Sequence, residues 1–477
     1  MGNITFVDRQ KELSLLQEIN KHHFFLVVKG RRRIGKTTLL KKFFPKAVYI
    51  FVSPNKSVGW LVEKICQEYA LPQFKTFIDV LVYLLDKNIV IIIDEFQNFL
   101  SVDKSIYGEM QRLIDRRKNT FLKIVVAGSS YSLMNKVFND VASPLYGRRT
   151  AEIMLSHIPL HNLFSVLKVS LEEFIELWSV FEGVPYYYEL LDRKLSAREN
   201  IQNLLISKDA LLSEEGTAVM SVEFGYDSKT YTTVLMAIAE GKTHLNEIAS
   251  LFGNKTNEVV KYLAILRREF RFVRRTTPLL SDPRKSRDGI YELTDNFLDF
   301  WFYFVDRNQQ YIEQERFKEV EQFFLRHRDT YIGKKFENFI QYLIKNNLLN
   351  IGFEPMAVGK QWGTMNHLPK DRNQYEIDIV AVDEKKNILF VECKWQEAVR
   401  AEEVLSRLAE KAAAVPWHHE ARKESFALFA KSFTQRLNNW KGKEVLCFDL
   451  HDLKKVLEFR TKTARKQPRS VVLKKLD

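Results

Sequence analysis

Two groups of residues in this 477-residue sequence have types and spacing that could do chemistry. The first is Gly30-Arg31-Arg32-Arg33-Ile34-Gly35-Lys36-Thr37-Thr38. Glycines at positions 30 and 35 let the backbone curl so that successive N–H groups point at one anion, and a helix starting at Lys36 adds its positive end. In such a loop Lys36 reaches the terminal phosphates of ATP and the Thr37 hydroxyl is a ligand for Mg²⁺. Asp94 and Glu95 close the apolar run 89–93. Beside bound phosphates, Asp94 would hold Mg²⁺ through water and Glu95 would polarise the attacking water as a general base. Ser129 and Ser130, after the run 123–127, read either as contacts to the terminal phosphate or as ordinary loop residues. Arg148, with Arg149 beside it, is the candidate for neutralising charge in the transition state, with a surface salt bridge as the alternative. Arg31, Arg32 and Arg33 read as solvent-facing residues that raise the local positive potential.

The second group is Tyr375-Glu376-Ile377-Asp378 and Phe390-Val391-Glu392-Cys393-Lys394, two alternating arms around a polar turn at 383–387. Pairing symmetric about Lys385 sets Asp378 opposite Glu392 and Glu376 opposite Lys394. Opposed side chains lie about 5 Å apart at Cβ, and residues two apart share a face. Two carboxylates and an ammonium then meet, a set that can bind Mg²⁺ or Mn²⁺ through hard oxygen ligands and use the metal on a phosphodiester. Asp378, Glu392 and Lys394 in this order resemble the PD-(D/E)xK nuclease fold. That resemblance implies a further acid from the first helix, and Glu337 fits the role. The proline expected before Asp378 is missing. The bland alternative is a surface hairpin with cross-strand ion pairs, Glu376 with Lys394 among them.

The elements that must position these residues follow from the pattern. Strands at 24–28, 47–52, 89–93 and 123–127 alternate with helices at 36–44, 57–69 and 106–117, which predicts a mainly parallel sheet covered on both faces. Residues 160–212 read as helical and rich in aromatics. Residues 228–293 resemble a winged helix: a short amphipathic helix from His244, a turn at Gly253, a second helix over 256–268 with an apolar face, and Arg271, Arg274 and Arg275 on the wing. DNA contact and packing against the ATPase are equally open for this module. From 317 a helix leads into the hairpin, and the lysine- and arginine-rich stretch 460–475 reads as a mobile tail.

Phe6-Val7-Asp8-Arg9, the phosphate loop, Asp94-Glu95-Phe96-Gln97, the Gly128-Ser129-Ser130 strand end and Leu145-Tyr146-Gly147-Arg148 resemble the archaeal-type ATPases of the STAND clade of P-loop NTPases. Gly183-Val184-Pro185 resembles that family's Gly-x-Pro motif, which implies that Pro185 lies near the base in a helical lid. The resemblance covers residues 1–210 and implies ATP hydrolysis used as a conformational switch.

The predicted fold class is therefore α/β. It comprises a P-loop core at 1–155, a helical lid at 156–220, a winged helix at 225–310, a restriction-endonuclease-like α/β domain at 320–450 and a basic tail at 451–477. A length of 477 residues and 45% hydrophobic content suit such a multidomain globular chain. No apolar run approaches the roughly 20 residues of a membrane span. The first ten residues lack a signal-peptide layout, and Cys66, Cys393 and Cys447 have neither pairing nor zinc spacing, so a cytoplasmic location is expected. A net charge of +13 favours an acidic partner, nucleic acid first and DNA before RNA; further copies of the chain in a homo-oligomer are the other expected partner. The functional reading is an ATP-hydrolysing switch coupled to a metal-dependent DNA-binding or DNA-cleaving domain, in defence or mobile-element biology. The alternative is a STAND-like regulatory ATPase whose nuclease-fold domain only binds nucleic acid or a protein.

Overall fold

A computed structural model describes residues 8–464 except 118–119, 226–227, 283, 285, 287, 366–368 and 370–371. The first unit begins with α1 (Gln10–Ile19), β1 (Phe24–Lys29), α2 (Lys36–Phe43) and β2 (Val48–Phe51). It continues through α3 (Val58–Glu68), α4 (Phe77–Asp86), β3 (Ile91–Asp94), α5 (Phe99–Val102) and α6 (Ser105–Arg116), and closes with β4 (Lys123–Gly128), α7 (Tyr131–Phe138) and β5 (Ala151–Met154). The strands form one sheet in the order β2-β3-β4-β1-β5, all neighbours parallel. Every residue of β1 and β3 is buried, as the unbroken apolar runs require of a strand covered on both faces. β4 lies between β1 and β3, so its end falls between the phosphate loop and the two acids. β5 was not singled out from the sequence, because Ala151-Glu152-Ile153-Met154 is a short edge strand with only Ile153 buried.

Helices α8 (Leu160–Leu167), α9 (Leu171–Phe181), α10 (Pro185–Glu189), α11 (Ala197–Leu205) and α12 (Glu215–Phe224) follow. Ser170 and Ser196 start α9 and α11 with capping boxes closed by Glu173 and Glu199. Next come α13 (Ser228–Ala239), α14 (Leu245–Ser250), α15 (Thr256–Ile265) and the antiparallel pair β6 (Val273–Thr276) and β7 (Ile290–Leu293). The arginines expected on the wing are engaged within the protein. Arg271 stacks over Tyr131 of α7 at 4.0 Å, Arg274 pairs with Glu292 at 2.9 Å, and Arg275 donates to Ser286 O at 2.8 Å.

α16 (Asn296–Phe300) and α17 (Gln309–Glu313) lead to α18 (Phe317–Lys345), which at 1.5 Å per residue is about 43 Å long. The last unit holds β8 (Ala357–Thr364), β9 (Gln374–Val382), β10 (Asn387–Lys394), β11 (Val399–Arg400), α19 (Ala401–Ala413), β12 (Lys423–Ala430), β13 (Phe433–Gln435), β14 (Asn439–Trp440) and β15 (Lys443–Phe448). Its main sheet runs β14-β15-β12-β10-β9-β8 and is mixed, with β10, β12 and β15 parallel. The predicted tail is corrected here: α20 (Leu450–Ala464) packs Leu453 and Leu457 into the core, because the apolar residues among its lysines recur at helical spacing. The remainder of that stretch lies outside the described residues.

One apolar cluster runs from Leu16, Leu39 and Ile153 on one face of the first sheet, through Phe174 and Phe181 of α9 and Phe336 and Phe339 of α18, to Val391 and Leu457. Each such aromatic contributes roughly 1.5–3 kcal/mol on burial. Among the described residues no helix is long and apolar enough to cross a membrane, and the three cysteines are free thiols.

Candidate active sites

The loop after β1 curls as two residues require. Arg33 has φ +65° and Gly35 φ +94°, left-handed conformations that glycine adopts without steric cost. At Gly30 a Cβ would lie 2.8 Å from the Leu155 carbonyl oxygen. Lys36, buried at the start of α2, donates to the carbonyls of Gly30 and Arg31 at 2.8 and 2.9 Å. Burial lowers its pKa, against the raising fields of Glu95 and Asp94. Thr37 Oγ1 donates to Asp94 Oδ2 at 2.6 Å, Tyr49 OH donates to the same oxygen at 2.8 Å, and Glu95 N donates to Oδ1 at 3.0 Å. A hydroxyl touching a buried carboxylate at a helix N-terminus is a donor set that fits Mg²⁺ with phosphate.

Glu95 sits at φ +52°. Its Oε2 accepts from Gln97 Nε2 at 2.5 Å and from Ser129 Oγ at 2.6 Å. Ser130 caps α7 and donates to Glu223 Oε2 at 2.9 Å. Burial pushes the Glu223 carboxyl up to about 7. A cleft of about 360 Å³ opens on Arg32, Arg33, Ile34, Gly35, Lys36, Thr37, Thr38, Asp94 and Glu95, with Arg9, Tyr49, Phe51, Ile158, Pro185, Tyr186 and Glu189 on its other walls. Pro185 Cγ stands 3.8 Å from the Cβ position of Gly35, so α10 meets the phosphate loop.

Three expectations are corrected. Arg148 pairs with Asp115, both Nε and Nη2 donating at 3.0 to 3.2 Å. It lies beside Thr150, whose N–H donates to Phe25 O at the start of β1, a strand length of roughly 20 Å from the phosphate loop. Sequence proximity to β5 hid the fact that the chain enters that strand at the wrong end. Arg31 and Arg33 are only partly exposed and are engaged within the protein: Arg31 pairs with Asp295, and Arg33 pairs with Glu215 at 2.8 Å and stacks over Tyr186 at 4.2 Å. Arg32 alone of the three is exposed.

In the last unit, the β9–β10 register pairs Val391 with Ile379 and Ile388 with Val382, the pairing symmetric about Lys385. Asp378 Oδ2 accepts from Cys393 N at 2.8 Å. Burial, then the nearby charges of Glu337 and Glu392, push the Asp378 carboxyl up to about 8. Glu392 is buried and pairs with Lys394 at 2.8 Å and with Lys411 of α19 at 3.1 Å. Glu337 of α18 pairs with Lys360 of β8 at 2.8 Å. Thus Glu337, Asp378, Glu392 and Lys394, from three elements, lie near enough for the charges of the other three to act on Asp378. Two details differ from expectation. Glu376 lies toward Lys360, at 3.8 Å, rather than toward Lys394. Among the described residues no three His, Cys, Asp or Glu side chains are grouped to hold a metal ion; Glu337 is paired with Lys360 and Glu392 with two lysines.

The chain is 32% identical over 407 residues to an uncharacterized protein of Methanocaldococcus jannaschii, covering 82% of this chain and 88% of that one. The chain belongs to that protein's family. Within it, residues 22–174 match the family described as an AAA domain. Residues 301–406 match a family described as archaea bacterial proteins of unknown function. Among solved structures, the chain is similar to a Walker-type ATPase of Pyrococcus abyssi, at 18% identity over 62% of this chain and 96% of that one, TM-score 0.46. It is also similar to the ORC2 protein of Aeropyrum pernix, at 13% identity over 64% and 96%, TM-score 0.41. The AAA segment contains the phosphate loop, Asp94 of β3 and Glu95 after it, so residues 22–174 form a P-loop ATPase domain. The segment of unknown function contains Glu337, Asp378, Glu392 and Lys394.

Sequence reasoning missed Tyr49, Tyr186, Glu189, Glu215, Glu223 and Asp295 around the first site and Lys360 and Lys411 around the second. The alternation of β2 would have placed Tyr49 on the side opposite Ile50. The other seven come together only through tertiary packing.

Proposed function

We propose that the ATPase works as a Mg²⁺-dependent switch of the STAND type and that it controls a metal-dependent phosphodiesterase site in the last unit, acting on DNA. In this reading Lys36 and the loop amides hold the phosphates, Thr37 and Asp94 hold Mg²⁺, Glu95 orients water, Ser129 reports the terminal phosphate and Pro185 carries the nucleotide contact into the lid. The domains divide as 1–155, 156–220, 225–310 and 320–450, and the protein works in the cytoplasm.

The observation that supports the second half is the nearness of Glu337, Glu392 and Lys394, from α18 and β10, to Asp378 of β9. The order helix, three strands, helix, strand around them supports the nuclease-like fold. A bound Mg²⁺ or Mn²⁺ would supply an activated water and charge neutralisation at phosphorus. In this reading Asp378 and Glu392 would hold the metal, Glu337 would stand behind them, and Lys394, now paired with Glu392, would meet the phosphate. Three helices followed by the β6–β7 pair support a winged helix. Asn257, Glu258, Val260, Lys261, Arg267, Arg268 and Glu269 are exposed between residues 257 and 269, a mixed surface whose Lys261, Arg267 and Arg268 suit a DNA groove.

The test is incubation of the full chain with DNA and with RNA in Mg²⁺ or Mn²⁺, with and without ATP. Metal-dependent cleavage lost in Lys394→Ala and Asp378→Ala supports the reading; no cleavage by the wild type under any of these conditions overturns it. A second reading has this domain bind nucleic acid or a protein without cutting. It is favoured by the engagement of both Glu392 oxygens by Lys394 and Lys411, and salt-sensitive DNA binding without cleavage would support it.

A further inference from the structure

β2 is an edge strand of the first sheet, paired with β3 on one side. On its outer side the backbone of Tyr49 is taken up by one phenol. Tyr69 OH accepts from Tyr49 N and donates to Tyr49 O, each at 3.0 Å, and so does at this point what a further strand would do. The Lys41 ammonium of α2 stands 3.9 Å from the centre of the Tyr49 ring, close enough for a cation–π contact. Tyr49 is thus held at its backbone and at its ring.

What the ring reaches is Asp94. Tyr49 pairs with Ile92 across β2 and β3, and Asp94, two residues on, shares the face of Ile92. The Tyr49 hydroxyl donates to Asp94 Oδ2 at 2.8 Å, the oxygen that also accepts from Thr37 Oγ1 at 2.6 Å, while Oδ1 accepts from Glu95 N at 3.0 Å. Three donors fix both oxygens of a buried carboxylate, and they are not equivalent. Thr37 is itself a candidate metal ligand, and the Glu95 amide belongs to the chain that carries the acid. Tyr49 has no such second role, yet it lines the nucleotide cleft. Burial, then the charge of Asp94, push its phenol up, so it keeps the proton that it donates.

We infer that Tyr49 is a positioning residue for Mg²⁺ at the ATP site, its hydroxyl holding the Asp94 carboxylate in one orientation before the metal arrives. This rests on the reading that Thr37 and Asp94 serve Mg²⁺, and it is independent of the nuclease-like site. A carboxylate ordered by a group outside the ligand set loses less freedom on meeting a metal, and removal of such a partner weakens metal affinity about 10- to 100-fold. Without the Tyr49 bond, Asp94 still accepts from Thr37 and Glu95, and Lys36 and the loop amides are untouched. The bond therefore bears on the metal dependence of nucleotide binding and not on the grip of the loop on phosphate.

The experiment measures the dissociation constant of the full chain for the non-hydrolysed triphosphate AMP-PNP, by competition with a fluorescent nucleotide, in EDTA and over a series of Mg²⁺ concentrations. Tyr49→Phe keeps the ring and removes the hydroxyl. It is expected to raise the Mg²⁺ concentration that gives half of the metal's effect on the order of tenfold, and to leave the constant in EDTA within about twofold. The unchanged constant in EDTA also shows that the variant is folded. An unchanged or lowered Mg²⁺ requirement, or a loss of affinity that is equal with and without the metal, overturns the inference. Asp94→Asn is the separate control. If it keeps the wild-type Mg²⁺ requirement, the assignment of Asp94 to the metal has failed; if it raises that requirement and Tyr49→Phe does not, the role of Tyr49 alone has failed.

Discussion

Ser129 Oγ donates to Glu95 Oε2 at 2.6 Å, so the residue after β4 orients the acid after β3. With Gln97 on the same oxygen, the carboxylate has one free oxygen to turn toward water. Glu95→Gln is expected to lower the ATP hydrolysis rate by about 10²- to 10⁴-fold and to keep nucleotide affinity. Ser129→Ala, which only loosens the acid, is expected to lower it about tenfold. Single-turnover hydrolysis beside a binding isotherm checks both, and a Glu95→Gln protein that hydrolyses at the wild-type rate would remove Glu95 from the mechanism.

Arg148 is placed for stability. Its forked contact with Asp115 is partly exposed, and such pairs contribute up to about 1 kcal/mol. Arg148→Ala should lower the Tm by about 2 °C at most and leave the hydrolysis rate per folded molecule unchanged. A rate collapse without loss of stability would mean that the arginine reaches a site other than the one its own chain offers.

Lys335 joins the ATPase side to the last unit. It is buried in α18, pairs with Asp299 at 2.6 Å and donates to Asn296 at 3.1 Å; Asp295, next to Asn296, holds Arg31 of the phosphate loop. Lys335→Met keeps the stem and leaves Asp299 without its cation, a loss of about 3 kcal/mol by analogy with broken buried pairs. Asp299→Asn added to it should recover a large part of that loss. Denaturant midpoints of the two single variants and the double variant measure the coupling, and simple additivity would show that the pair carries no energy of its own.

Glu223 gives a pH dependence. Its folded value of about 7 lies above the ordinary 4.5, so between those values the folded chain keeps a proton that the unfolded chain has released, and stability falls as pH rises through that window. The groups facing it are Ser130, Arg31, Lys36 and Glu95. Glu223→Gln removes the penalty. The variant should be more stable than the wild type at pH 8, by on the order of 3 kcal/mol at most, with the difference gone by pH 4. Thermal unfolding across that range decides it, and a constant difference at all pH values would assign the effect to packing.

Much of this was readable beforehand because it is local. Gly30, Gly35 and the apolar run into Asp94 prescribe a strand, a turn and an anion site within a few residues. The turn at 383–387 sets the register of the hairpin that brings Asp378 to Glu392. What was not readable depends on distant partners. Arg31 and Arg33 look like surface charges until Asp295 and Glu215 arrive from over 180 residues away. Arg148 looks close to the site until the direction of β5 places it at the far end of the sheet. Lys411 gives no local sign that α19 will carry it to Glu392.

The apolar cluster that starts under the first sheet and ends beneath α20 has a consequence for how this protein can be cut. α9 and α18 both belong to it, so among the described residues the first and last units share one core and could not be detached with their surfaces intact. A piece beginning at α18 would present Phe324, Phe336 and Phe339 to water and aggregate. Limited proteolysis should therefore nick loops without releasing fragments.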